Sequence, residues 1–179
     1  MTETVIPSLD PCLVAHGAPD APTVARSLVL IYAGEVSRHL TSMAAACGYR
    51  VAVVEPDPER RAAAAAWAPT VVATVPEVVT DEGTDLVATD HHRDDLGIVL
   101  RDALAAPSRW IGVMGNPRDQ GPHLHLLQQL GVPSEEIFRV HRPVGLNIGS
   151  RRPAEIAVAI LAGLLADRTG KPGGFDFSA

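Results

Sequence analysis

The sequence predicts an α/β fold built on a doubly wound parallel sheet, and two observations support this prediction. Short apolar runs alternate with helix-like patterns along residues 27–170, as in sheets whose strands are joined by helical crossovers. A turn containing Gly34 follows the first apolar run, and Glu55 ends the second about 20 residues later, as in a dinucleotide-binding unit. Because such crossovers are right-handed, we expect three layers, with helices on both faces of the sheet.

The predicted strands are short and apolar on both faces, as strands buried in a parallel sheet are. They cover residues 28–31, 51–54, 71–75, 85–89 and 110–114. The predicted helices have apolar residues three or four positions apart, or are rich in alanine. They cover residues 36–47, 62–66, 93–106, 116–130 and 153–167.

The helix predicted from Asn116 has the most distinctive start. Asn116 is a good N-cap, Pro117 suits the first helical position, and Asp119 places an acid in the first turn. Beyond this helix, residues 141–150 form a glycine-punctuated segment without helix or strand periodicity. We expect this segment to be a loop that wraps over the edge of the sheet.

Composition indicates a single cytoplasmic domain. At 179 residues and 46% apolar, the chain can build one substantial core but not two. We expect an N-terminal arm over residues 1–26, a Rossmann-like domain over residues 27–170 and a loose tail over residues 171–179. The net charge of −6 and the lack of a basic run predict no nucleic-acid role. No apolar run reaches the ~20 residues of a membrane span, and the start does not resemble a signal peptide.

Ligands of doubly wound sheets bind beyond the carboxyl ends of the strands, so the segments that follow strands form the candidate site. These segments are residues 32–37, 55–57, 89–95 and 112–118. Because the strands are parallel, we expect all four segments to converge on one crevice.

The first of these segments is an altered glycine turn. Gly34 is the one glycine kept from the G-x-G-x-x-G pattern, with Tyr32 at the first glycine position and Ser37 at the third. We expect the Tyr32 side chain to lie where a pyrophosphate would, which disfavours dinucleotide binding. Glu55 would either meet a ribose hydroxyl or only cap the turn after its strand.

The richest group of titratable side chains follows the fourth predicted strand, from Thr89 through Asp90 and His91 to Asp95. Such a group could coordinate a metal, hold a polar ligand or move protons. The alternative is that Asp90 caps the following helix while the other side chains are solvated. Nothing nearby completes a ligand set, so we predict no metal site.

A second polar group lies after the fifth predicted strand. Gly112, Gly115 and Asn116 combine flexible backbone with a predicted helix N-terminus, and Arg118 adds a guanidinium. Together they would form an anion or phosphate site. The alternative is that Gly115 serves only the turn and Arg118 is exposed.

Several segments carry a family resemblance. They read Ile-Tyr-Ala-Gly-Glu-Val-Ser at 31–37, Thr-Asp-His-His at 89–92, Trp-Ile-Gly-Val-Met-Gly at 110–115, and Arg-Pro-Val-Gly-Leu-Asn-Ile-Gly at 142–149 with Pro-Ala-Glu-Ile-Ala at 153–157. Together they resemble the C-terminal Rossmann domain of the XdhC/CoxI family. Members of this family are accessory factors of xanthine dehydrogenase and related molybdenum hydroxylases.

The resemblance implies a non-catalytic accessory protein that binds a molybdenum cofactor of the molybdopterin type. Such a protein would assist sulfuration of the cofactor and deliver it to the hydroxylase apo-enzyme. The cofactor-binding residues predicted on this basis are Ala33, Gly34, Glu55, Thr89, Asp90, His91, Gly112, Gly115, Asn116, Arg118, Gly145, Asn147 and Gly149. We expect a homodimer. The sequence does not contain the family's N-terminal domain, so we expect either a stand-alone paralogue or a chain that works with a separate polypeptide supplying that domain.

The sequence also departs from the family pattern. Tyr32, Glu35 and Ser37 alter the first turn, and Asn147 stands where the family has an aspartate, which removes a charge. Two alternatives therefore stay open. One is an NAD(P)-dependent oxidoreductase that uses the first turn and Glu55, and the other is a degenerate Rossmann interaction module that has lost its ligand.

Overall fold

The computed structural model describes residues 26–116, 118 and 120–174, and these build one sheet of six parallel strands in the order β3-β2-β1-β4-β5-β6. The strands are β1 (Arg26–Ile31), β2 (Tyr49–Val54), β3 (Val71–Val72), β4 (Thr84–Ala88), β5 (Trp110–Val113) and β6 (Val140–His141). The sheet begins at Arg26, which the sequence assigned to the arm. Residues 1–25 of the arm predicted over residues 1–26, and the last five residues of the predicted tail, lie outside the described residues.

Helices cover both faces of this sheet. They are α1 (Glu35–Ala46), α2 (Pro58–Ala64), α3 (Leu96–Ala105), α4 (Pro122–Gln129), α5 (Ser134–Ile137) and α6 (Pro153–Arg168), with a 3₁₀ helix at Val75–Glu77. This arrangement confirms the predicted three-layer, doubly wound α/β fold. None of the helices in the described ranges is both long and apolar enough to cross a bilayer.

The core is divided by the sheet, because successive residues of a strand point to opposite faces. Leu28 and Leu30 of β1 pack with Leu40 of α1 and with Ile160 and Leu164 of α6. On the other face, the intervening residues of β1 pack with α3 and α4; the buried residues there include Val29, Ile31, Leu100 and Leu127. Helix α6 therefore returns across the sheet to lie beside α1.

The location of the crevice follows from the central position of β1 in the sheet. Its last residue, Ile31, lies opposite Val54 of β2 on one side and Ala88 of β4 on the other. From β1 the chain adds β2 and then β3 on one side of the sheet. It then crosses to the other side of β1 and adds β4, β5 and β6 in order. Ligands of open α/β sheets bind at such a switch point, beyond the carboxyl ends of the strands.

The helix predicted to begin at Asn116 begins instead at Pro122, so that prediction was wrong. Gly121, its N-cap residue, has an extended conformation with φ −67° and ψ 138°. A proline imposes this conformation on the residue before it, because its ring clashes with a helical predecessor. A helix that started near Asn116 could not continue through Gly121, and the later start at Pro122 is the one observed.

Other elements also differ from the sequence prediction: α2 covers Pro58–Ala64 instead of residues 62–66, and α5 was not predicted. Strand β6 overlaps the predicted loop only at His141 and pairs with β5, with Val140 opposite Ile111. The third strand is only Val71–Val72, since Thr74 starts the 3₁₀ helix. Helix α3 begins at Leu96, later than residue 93. Strands of two residues are too short to show any alternation, which explains why β6 was missed.

Candidate functional site

The carboxyl ends of the strands lie at one edge of the sheet, as predicted, but the candidate residues there form two separate halves. One half lies over β1 and β2 and is closed by side chains. The other lies over β4 and β5 and contains an open cavity. The two halves meet at the loop of residues 89–95, which follows β4.

Tyr32 occupies the first turn in a way that the sequence prediction did not anticipate. Its φ is +76°, a conformation that glycine adopts freely and other residues rarely do. Its ring is only 1% exposed and packs within the core, so it does not fill the space of a pyrophosphate. Its hydroxyl donates to Asp95 Oδ1 at 2.9 Å. Burial, with that carboxylate beside it, raises the pKa of Tyr32 far above its usual range.

The backbone donors of the first turn are already used within the protein. Ala33 N donates to Glu55 Oε2 at 2.9 Å, and Gly34 N donates to Ser37 Oγ at 2.8 Å. The Ser37 hydroxyl donates in turn to the carbonyl of Tyr32. A dinucleotide would need such amides for its pyrophosphate, so Ala33 and Gly34 offer it little.

Glu55 is also committed to internal partners. It is completely buried, and its Oε1 accepts from Asp57 N and from Arg93 Nη2, both at 2.9 Å. The Arg93 guanidinium lies 4.6 Å above the centre of the Tyr32 ring. Arg93 therefore crosses the end of β1 to reach the end of β2. A ribose could bind Glu55 only after this ion pair was broken.

The loop after β4 is held by its first residue. Thr89 Oγ1 lies within hydrogen-bond distance of the Ile31 carbonyl, at 3.1 Å, and of the Tyr32 carbonyl, at 3.0 Å. The Asp90 side chain accepts from His92 N at 2.9 Å, so it closes a tight turn and does not cap α3. The rings of His91 and His92 lie 3.9 Å apart. No group of three or more potential metal ligands occurs among the described residues.

The half over β4 and β5 contains a cavity of about 410 Å³. Its walls come from the loop after β4, the end of β5, the loop between β6 and α6, and the first turn of α6. The lining residues are His91, Met114, Gly115, Pro143, Val144, Gly145, Leu146, Asn147, Ile148, Gly149, Ser150 and Ile156. Five of the predicted site residues, His91, Gly115, Gly145, Asn147 and Gly149, are therefore brought together here.

The loop between β6 and α6 is fixed on α6 by close backbone contact. Leu146 N donates to the Ala159 carbonyl at 3.0 Å. Gly145 has φ +96°, and a Cβ there would lie 2.9 Å from Ile160 N. Gly163 allows the same approach from the helix side. The sequence analysis did not identify Gly163, although a glycine within an otherwise helical apolar run is a signal of close packing.

Arg142 lies against the cavity wall at Gly115. A Cβ added to Gly115 would be 2.2 Å from Arg142 Nε, so a larger residue there would displace the guanidinium from this position. His123 lies near Arg142, because both side chains approach the Cβ position of Gly121; it is 4% exposed and has no hydrogen-bond partner at Nδ1. Burial, reinforced by the charge of Arg142, lowers the pKa of His123. Arg142 places a guanidinium at the wall that the sequence analysis did not select.

The remaining candidates after β5 lie outside the cavity. Gly112 is buried within β5, where a Cβ would collide with the ring of Trp110 at 2.3 Å. Asn116 and Arg118 are exposed, and the Asn116 side chain accepts from Arg118 N at 3.0 Å. The expected helix N-terminus is absent from this position, because α4 begins at Pro122. The anion site proposed there from sequence therefore lacks the helix N-terminus on which the proposal depended.

The cavity can hold a ligand of mixed character. Met114, Leu146 and Ile156 supply apolar walls, and His91 and Asn147 supply polar side chains. Ligand sites are commonly concave and mostly apolar, and a few polar groups in them fix the orientation of the ligand. The arrangement thus suits a ligand with both apolar and polar parts, and the Arg142 guanidinium lies close to the wall at Gly115.

Comparisons with known proteins agree with this architecture. A family model described as the XdhC Rossmann domain matches residues 28–164. The uncharacterized protein YqeB of Escherichia coli strain K12 is 32% identical over 155 residues, which covers 82% of this chain and 28% of YqeB. A crystal structure of a xanthine dehydrogenase from Bacillus halodurans has a similar fold, with a TM-score of 0.65 and 23% identity. That alignment covers 86% of this chain and 46% of the other, so this chain spans less than half of either protein.

Proposed function

Because this chain belongs to the XdhC family through its Rossmann domain, we propose that it is an accessory protein of a molybdenum hydroxylase of the xanthine dehydrogenase type. In this proposal it binds a molybdenum cofactor of the molybdopterin type and delivers it to the apo-enzyme. The observation that carries the proposal is the cavity over β4 and β5, which gathers His91, Gly115, Gly145, Asn147 and Gly149.

The cavity fits such a cofactor in size and chemistry. Its volume of about 410 Å³ is within the range of small-molecule and cofactor sites, roughly 300–1,000 Å³. The apolar side chains of Met114 and Ile156 suit the faces of a pterin, while His91 and Asn147 can hydrogen-bond to its polar edge. The Arg142 guanidinium lies close to Gly115 without lining the cavity, and its positive charge would attract an anionic end of the ligand to that side.

The chain's role in this proposal is to hold and release the cofactor. The cofactor would supply its redox chemistry in the hydroxylase that receives it. Asn147, Ile148 and Gly149 are exposed at the cavity, and a recipient enzyme could contact the ligand from that side. A homodimer and a separate polypeptide that supplies the N-terminal domain remain predictions; size measurement and co-purification would test them.

The first test is to denature the purified protein, oxidise the released small molecules and identify them by mass and fluorescence. Released molybdopterin would support the proposal, whereas a released nicotinamide would favour the oxidoreductase alternative. Protein isolated empty would be titrated with molybdenum cofactor. Failure to bind it would contradict the proposal and favour the interaction module.

Variants then locate the site. We expect His91→Ala and Asn147→Ala to weaken cofactor binding by about tenfold each, as expected for the loss of one good hydrogen bond. His125→Ala is the matched control, because His125 is an exposed histidine on α4 outside the cavity. Equal affinity in all three variants and the parent would contradict this site assignment.

A further inference from the structure

We propose that Arg93 is a positioning residue for the cavity. It fixes the loop after β4 onto the β1 and β2 half of the sheet and thereby sets where His91 stands in the cavity wall. This inference rests on the proposed function for the identity of the ligand. The position of His91 can be measured on the free protein, so the two ideas can fail separately.

Both ends of the loop are attached to the end of β1. At the first end, Thr89 N donates to the Ile31 carbonyl at 3.0 Å. At the other end, Asp95 accepts the hydroxyl of Tyr32 at 2.9 Å. These contacts hold the loop near the sheet but lie on either side of the residues that face the cavity.

Arg93 supplies an attachment between these two ends. Its Nη2 lies 2.9 Å from Glu55 Oε1 and its Nη1 lies 3.4 Å from Glu55 Oε2. The guanidinium also covers the ring of Tyr32. Glu55 is itself fixed by the backbone amides of Ala33 and Asp57. Arg93 is therefore joined to a buried carboxylate that cannot readily move.

His91 lies on the short piece of chain between Thr89 and Arg93. The turn made by Asp90 and His92 N restricts this piece further. With both neighbouring attachments in place, few backbone conformations remain for His91, and the entropy cost of ordering it for a ligand has already been met in folding. The closed half of the crevice thus supports the open half without lining it.

The geometry also explains why arginine is required. A guanidinium can reach both carboxylate oxygens and stack on an aromatic ring at the same time. Lysine would keep the charge but make one contact and no stacking. Arg93→Lys should therefore hold the loop less firmly than the parent and more firmly than Arg93→Ala.

The decisive experiment is NMR of the free protein with ¹⁵N-labelled histidine. The His91 imidazole signals are assigned by their loss in His91→Ala. In Arg93→Ala we expect these signals to shift and broaden, while those of His125 on α4 stay in place, and Arg93→Lys should give an intermediate shift. Arg101→Ala is the matched control, because Arg101 is an exposed arginine on α3 that pairs with Asp102.

Two results would overturn the proposal. One is unchanged His91 signals in a folded Arg93 variant. The other is an equal change at His91, His123 and His125, which would indicate general loosening. If Arg93→Ala does not fold, Arg93→Lys supplies the same comparison.

Binding provides a second readout. We expect Arg93→Ala to weaken molybdenum cofactor binding by about tenfold, and Arg101→Ala to change it by less than about twofold. If the parent binds no cofactor, the proposed function fails and the NMR result still decides the role of Arg93. If the parent binds and Arg93→Ala binds equally well, the positioning role fails and the proposed function stands.

Discussion

The Cβ position of Gly163 on α6 lies 3.1 Å from the Cα of Gly145 in the loop between β6 and α6. Two backbones meet here with no side chain between them. The loop that carries Asn147 and Gly149 is therefore held directly against the helix that supports the cavity. Substitutions at these glycines test whether the cavity depends on that contact.

We expect Gly145→Ala to displace the loop and weaken cofactor binding. Its φ of +96° is strained for alanine, and the new Cβ would lie 3.0 Å from the Ala159 carbonyl carbon. Overpacking of this kind costs about 1–3 kcal/mol, measured as the free energy of unfolding in urea. Gly149→Ala is the control, because its φ is also positive but no atom lies within 4 Å of its Cβ position. Equal losses of unfolding free energy in both variants would show that the effect comes from backbone conformation alone.

Asp85 should be a major contributor to stability at the opposite edge of the sheet. This buried carboxylate lies 2.7 Å from Arg109 Nε and 2.8 Å from Arg168 Nη2. Asp85→Ala leaves two mostly buried guanidinium groups without this partner, and we expect a loss of about 3 kcal/mol in the free energy of unfolding. Asp102→Ala removes an exposed pair with Arg101 and should cost at most about 1 kcal/mol. Similar losses in the two variants would contradict this account.

His123 should make stability fall with acid. Its pKa is lowered from 6.5 in the folded protein, so the unfolded chain takes up the proton first as the pH falls. The free energy of unfolding should therefore decrease as the pH falls below about 6.5 and continue to decrease until it reaches the folded pKa. Urea unfolding at two pH values, near 7.5 and near 5.5, should show a smaller difference in His123→Gln than in the parent. His125→Gln, which replaces an exposed histidine on the same helix, is the matched control.

Nicotinamide cofactors should not stabilise the parent protein. The donors of Ala33 and Gly34 and the carboxylate of Glu55 are all occupied by internal partners. NAD, NADH, NADP and NADPH, each at about 1 mM, should therefore leave the thermal midpoint unchanged. A ligand present at about 100 times its Kd would add nearly 3 kcal/mol and raise the midpoint clearly. Such a rise would revive the oxidoreductase alternative.

The sheet and most of its helices could be predicted because their signals are local. The apolar run from Leu28 to Ile31 is buried on both faces, and such runs followed by helical patterns limit the topology to a parallel sheet. The convergence of His91, Gly115 and Asn147 also followed, since each lies beyond the carboxyl end of a strand or in the loop above that edge.

The closure of the crevice over β1 and β2 could not be predicted from the sequence, because it depends on contacts between distant parts of the chain. Tyr32 stands at the first glycine position of the turn, which agrees with its φ of +76°, but the sequence does not show where its side chain packs. Its hydroxyl bonds to Asp95, and its ring lies under Arg93, in a loop after the fourth strand. In the sequence, Arg93 cannot be distinguished from any other polar loop residue. Its role becomes visible only when the fold brings Glu55 opposite it.

The strands at the two borders of the sheet, β3 and β6, are each only two residues long. A border strand exposes unpaired peptide groups on which another chain can add a strand, and the length of that template limits how stable the added pairing is. Templates this short give an incoming strand few hydrogen bonds. For the sheet that the described residues form, extension from one molecule to the next is therefore disfavoured relative to association through helices or loops.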